Sequence, residues 1–139
     1  RCHQVAMYVV YESPLQMLCE SPSTYYKEEE TTRFISKIPT TWDETIVLDA
    51  KVADYILIAR RRDDNWYIGA MTDSSPRELE IDFPFLGDGT YEMELMRDGK
   101  NSDKFAQDYI IETGEVNKST KLKIELAPGG GFSAIISKK

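Results

Sequence analysis

Pro39-Thr40-Thr41-Trp42-Asp43-Glu44-Thr45 is the stretch at which the pattern of this 139-residue chain changes type. Downstream, apolar residues alternate with polar ones; upstream, the pattern is that of helices around one short apolar run. Such a switch marks a change of architecture. Side chains return to one face after three to four residues on a helix but at every second residue on a strand.

The downstream half reads as strands. Asp54–Arg60 and Trp66–Met71 flank Arg61–Asn65 and form a hairpin pattern. Glu78–Phe83 alternates strictly, and Pro84 suits the exit from a strand. Tyr91–Leu95 follows the turn Gly87-Asp88-Gly89 and closes at Asp98-Gly99. Tyr109–Ile111, Lys121–Leu126 and Phe132–Ile136 complete the set. Seven or eight short strands at this spacing predict a mainly β unit over residues 46–139, an antiparallel β-sandwich or barrel.

The upstream half reads differently. Residues 2–12 place Val5, Tyr8, Val9 and Glu12 on one helical face, with Ala6, Met7 and Val10 alongside, so this helix is buried on most sides. Ser13-Pro14 ends it. Leu15–Cys19 is then expected as a buried strand of a parallel sheet. Ser23 or Thr24 is expected to cap a further helix with Glu28, Glu29 and Glu30 in its early turns. Its apolar stripe is Tyr26, Phe34, Ile35 and Ile38, and Pro39 stops it. Helix, strand, helix over residues 1–45 is one unit of an α/β fold, which needs neighbouring strands. The pattern begins at Arg1 in mid-stride, so the expectation is a piece of a larger protein. The apolar helix at its start would then be covered by self-association or be disordered.

The charge balance narrows the partners. Lys and Arg number 17 against 24 Asp and Glu, a net charge of −7, which argues against nucleic acid and anionic membrane surfaces. The run Arg60-Arg61-Arg62 meets Asp63-Asp64 at once and reads as a solvated strand end. The longest apolar-leaning run, Val5–Tyr11, is too short to span a bilayer.

Candidate chemistry is sparse. Cys2 and Cys19 read as free buried thiols; a metal site with His3 would lack the close ligand pairs zinc uses. His3 is the only histidine and no serine stands in a nucleophile setting, so no catalytic residue is assigned. Asp98, Asp103 and Asp108 match no compact calcium loop, and Gly129-Gly130-Gly131 opens into a strand, which makes it a tight turn and no phosphate loop. Trp66 and Tyr67 fall on opposite faces of one strand, so at least one belongs to the core. Trp42 is the candidate for pinning the two halves together. Glu20, just past Leu15–Cys19, is either a contact at a substrate rim or a loop acid at a helix entry.

Taken in order, certain stretches resemble the C-terminal end of glycoside hydrolase family 97, bacterial α-glucosidases and α-galactosidases. They include Tyr8–Leu18, Ser21-Pro22, Pro39–Thr45, Ala59–Arg61, Trp66–Ala70, Thr72-Asp73, Gly89–Tyr91, Arg97–Gly99 and Leu126–Gly131. The resemblance runs essentially end to end. Ala50 and Ser74-Ser75 depart from the expected glycine and aromatic. It implies that residues 1–45 close a catalytic (β/α)₈ barrel, with Leu15–Cys19 as its eighth strand, and that the rest is the family's β-domain, supporting packing or oligomerisation. It further implies catalytic carboxylates and calcium ligands upstream of Arg1, so no cofactor in this chain, and a periplasmic or secreted location in a Gram-negative bacterium. The implied partners are the upstream barrel, a second copy, and oligosaccharide through the parent enzyme. A carbohydrate-binding β-sandwich module, carried by Trp42, Trp66 and Tyr67, is the alternative. Glucose against galactose, and retention against inversion, are not decided by these residues.

Overall fold

The computed structural model describes all residues 1–139. The alternating half forms eight strands: β1 Glu44–Lys51, β2 Tyr55–Arg62, β3 Asn65–Thr72, β4 Arg77–Asp82, β5 Tyr91–Asp98, β6 Tyr109–Val116, β7 Lys121–Leu126 and β8 Gly131–Lys138. They make a six-stranded sheet in the order β1-β2-β3-β8-β5-β6 and a two-stranded sheet β4-β7. Every pairing is antiparallel. The mainly β, antiparallel expectation holds.

Alternation fixes what lies between the sheets. Trp66, Ile68 and Ala70 of β3 face inward with Leu57 and Ala59 of β2 and Phe132, Ala134 and Ile136 of β8. Leu79 and Ile81 of β4 and Ile124 and Leu126 of β7 close the core from the other side. The outward side of β4-β7 is charged, with Lys123 paired to Glu78 and Lys121 to Glu80 and Asp82. At 6 % exposure Trp66 and Tyr67 are both core residues, on opposite faces of β3. Neither ring is therefore open to a sugar at the surface.

The second face of the large sheet carries the helices α1 Cys2–Val10, α2 Pro22–Lys27 and α3 Glu29–Ser36. α1 lies across β3 and β8 and buries Cys2, Val5, Ala6, Val9 and Val10. Valine is a poor helix former, costing roughly 0.5 kcal/mol each. Burying each side chain contributes about 1.5–3 kcal/mol. Packing therefore decides. Gly69 makes the close approach feasible, because a Cβ there would stand 2.9 Å from the Cβ of Val9. Gly131 plays the same part beneath Cys2 and His3.

Four expectations need correction. α1 is not left uncovered; the sheet covers its apolar face, and it ends at Val10 with Glu12 exposed. Leu15–Cys19 forms no strand and is open to solvent, Leu15 being 77 % and Met17 74 % exposed. A lone parallel strand has no ladder to join, so its backbone stays irregular. The helix expected from residue 23 to 38 is two helices broken at Glu28 (φ −107°, ψ 42°), which leaves Tyr26 82 % exposed and outside the stripe. It begins at Pro22 after Ser21, with no side-chain cap from Ser23 or Thr24; proline suits a first helical position.

Candidate assembly site

Three side chains, Trp42, Tyr67 and Arg60, meet on the face of the sheet that carries the helices. Trp42 leads into β1 and stands edge-on to Tyr67 of β3, ring centroids 5.3 Å apart at 64°. The Arg60 guanidinium carbon lies 5.5 Å from the centre of the Trp42 ring. Arg60 Nη2 donates to the carbonyl oxygen of Val10 at 3.1 Å, at the last turn of α1. A cation at a helix C-terminus meets the negative end of its dipole and one of its unpaired carbonyls. Val5, Val9, Phe34 and Ile38 pack in the same cluster as Tyr67 and Met96.

Arg60 overturns the reading of Arg60-Arg61-Arg62 as a solvated end, because it is 6 % exposed. Burial pulls its pKa below the ordinary arginine value, against the attraction of Glu12. Arg61 and Arg62 do remain near solvent and pair with Glu44 and Asp43. A signal was present in the sequence: Arg60 has the same parity as Ile56 and Ile58, the face that α1 covers. Arg60 Nε and Nη1 and Trp42 Nε1 are buried without an acceptor within the chain.

The Trp42 ring thus lies against Arg60 of β2 and Tyr67 of β3 and packs on the cluster that Tyr67 shares with Val5, Val9, Phe34 and Ile38. Glu20 sits elsewhere: it is exposed, and its backbone N–H donates to the Tyr25 hydroxyl at 2.7 Å. Cys2 is buried and Cys19 exposed, both free, which corrects the expectation that both thiols are buried. Burial and the neighbouring Asp98 push the Cys2 thiol up to about 12.

The acids do structural work. Asp98 Oδ2 accepts from the backbone N–H groups of Ala127 and Gly131, each at 3.0 Å, and so holds the glycine loop against β5. Gly129 takes φ +64°, the conformation of a tight turn. Asp108 accepts from the N–H of Asn101 at 2.8 Å. No three His, Cys, Asp or Glu side chains of this chain gather where a metal ion would sit. Glu92 and Glu115 face each other across β5 and β6. Their side chains are 66 % and 58 % exposed, and Lys139 lies beside both. Glycoside hydrolysis needs two carboxylates on either side of a bound sugar; this pair is a cross-strand ionic contact on an open face.

A shallow groove runs between α1 and the β1–β2 hairpin, lined by Tyr11, Ala50, Val52, Ile56 and Met71 with His3 at one end. Val52 at the hairpin tip is 96 % exposed, Val47 60 % and Tyr11 51 %. This exposed apolar strip was not read from the sequence.

A two-sheet β-sandwich backed by helices, with apolar surface beside it and acids spent on turns and ion pairs, defines an accessory β-domain. The chain belongs to glycoside hydrolase family 97: residues 41–137 match the model described as "Glycosyl-hydrolase 97 C-terminal, oligomerisation". It is 53% identical over 133 residues to a retaining alpha-galactosidase of Bacteroides thetaiotaomicron, covering 96% of this chain and 20% of that protein. A probable retaining alpha-galactosidase of Streptomyces bingchenggensis is 26% identical, with 95% and 20% covered. The chain thus spans about a fifth of the length of the curated relatives it matches. Among solved structures, a family 97 enzyme of Pseudoalteromonas sp. strain K8 in complex with panose superposes with a TM-score of 0.93 at 37% identity, over 98% of this chain and 22% of that one. A beta-arabinopyranosidase gives 0.79 at 28%, over 96% and 20%.

Proposed function

We infer that this chain is the C-terminal support and assembly portion of a retaining α-galactosidase of family 97, and that the hydrolysis is done by other parts of that polypeptide. The observation that carries the reading is the 53% identity to a retaining alpha-galactosidase across 96% of the chain. The carboxylates add support from the other side, since Asp98 is engaged with two backbone amides and the facing pair Glu92 and Glu115 with Lys139. Calcium would be held by residues outside this chain. In this reading Trp42 fastens the helical layer to the β-domain, Glu20 reaches the rim of the sugar site, and the upstream barrel covers Leu15, Met17 and Leu18. The parent enzyme is exported to the periplasm or beyond, and cell fractionation checks that point directly.

The experiment is a comparison of aryl α-galactoside and aryl α-glucoside as substrates for the whole polypeptide. Preferred turnover of the galactoside is the expected result. Preference for the glucoside would return the enzyme to the α-glucosidase branch that the sequence resemblance left open.

A further inference from the structure

We propose that the apolar strip along β1, Val47, Ala50 and Val52, is the surface on which a second copy of this chain docks, face to face across a two-fold axis. The proposal rests on the assembly role inferred above and names its surface.

The other faces fit a second copy poorly. The outer side of β4-β7 is a lattice of cross-strand ion pairs with no apolar side chain between them. The exposed run of the β6 edge, Glu112-Thr113-Gly114-Glu115, offers no apolar side chain, and its two acids are already paired with Arg97 and Lys139. The hairpin side is different. Residues 43–63 carry four basic and five acidic side chains, close to balance in a chain of net charge −7. Lys51 pairs with Asp54 at 2.6 Å, and Arg61 with Glu44 at 3.1 Å, so charge is compensated at both ends of the strip. A second copy approaching there meets apolar surface and no net repulsion, which is what an isologous interface requires.

The geometry selects the face and not the edge. The pairing of β1 with β2 shifts register between Val47 and Asp49, a bulge that spoils strand addition along β1. Val47 and Ala50 pair with Ile58 and Ile56 and so share the helix-bearing side of the sheet. Val52, almost wholly exposed, stands in the wall of the groove, whose floor Tyr11, Ile56 and Met71 share with the polar Asp54 and Thr72. A knob next to a groove is self-complementary under a two-fold rotation: each Val52 enters the groove of the other copy.

Sedimentation equilibrium of the 139-residue chain and its Val52→Asp and Val47→Asp variants tests this. Both side chains are exposed, so neither substitution removes core packing, and thermal melting checks that the fold is kept. The expected result is a dimer for the wild type and a dimer dissociation constant raised about tenfold or more in each variant, with melting unchanged. A wild-type dimer that both variants leave intact would overturn the surface while sparing the assembly role. Loss of the dimer on Leu15→Asp instead would assign it to the exposed 15–18 segment and equally overturn the proposal. A wild-type monomer would overturn the proposal together with the self-association it rests on.

Discussion

Gly69 of β3 leaves the room that Val9 of α1 occupies: a Cβ on Gly69 would lie 2.9 Å from the Cβ of Val9. Substituting Gly69→Ala must push α1 off β3 or distort one of them. Overpacking of this kind costs about 1–3 kcal/mol. Gly114 on β6 has nothing within 4 Å of its added Cβ, so Gly114→Ala should stay within about 0.5 kcal/mol of wild type. Urea titration of both variants checks the contrast. Equal stabilities would mean that α1 does not rest on the sheet as described.

The Asp98 carboxylate serves two backbone donors at once, Ala127 and Gly131. Asp98→Ala leaves both N–H groups without their acceptor and should cost about 1–3 kcal/mol. Asp98→Asn retains a side-chain carbonyl and should recover part of the loss. A melt of Asp98→Ala indistinguishable from wild type would show that the glycine loop holds itself.

The two cysteines should separate cleanly toward a thiol reagent. Cys19, exposed, reacts at once under native conditions, and Cys2, buried, reacts only on unfolding. Cys2 also gives a pH signature. Its folded pKa, raised from 9.0 to about 12 chiefly by burial, lies above the unfolded value. Its contribution to stability is therefore complete below pH 9 and is lost as the pH rises from 9 toward 12. Cys2→Ala should lower stability at neutral pH yet flatten that alkaline decline. A decline of the same slope in the variant would assign the sensitivity to other groups.

The strands were legible because alternation is local: Glu78–Phe83 shows its wet and dry faces in six letters. Their order was not, since nothing near β8 in the sequence says that it lies between β3 and β5. Pairings across such distances are set by the whole core. Arg60 was misread because three arginines in a row look solvated until parity places one of them under α1. Leu15–Cys19 was read as buried from composition alone, yet burial depends on neighbouring strands that these residues do not supply. Trp42 was singled out before its surroundings were known, and its ring lies against both Tyr67 and Arg60.

Glu20 carries a kinetic prediction for the whole polypeptide. It is exposed, with only its backbone N–H engaged, by Tyr25, so Glu20→Gln should leave melting unchanged. A role at the sugar rim would raise KM several-fold with kcat little altered, the pattern of lost uniform binding. Unchanged KM for aryl galactoside and for an oligosaccharide would leave Glu20 as a loop acid at the entry to α2.

The central claim is that this chain supports a glycosidase and does not perform its chemistry. The direct measurement is release of nitrophenol from an aryl α-galactoside by the 139-residue chain and by the whole polypeptide, at equal molarity. The account predicts turnover by the whole polypeptide and none above background by the chain. Turnover by the chain alone would contradict it.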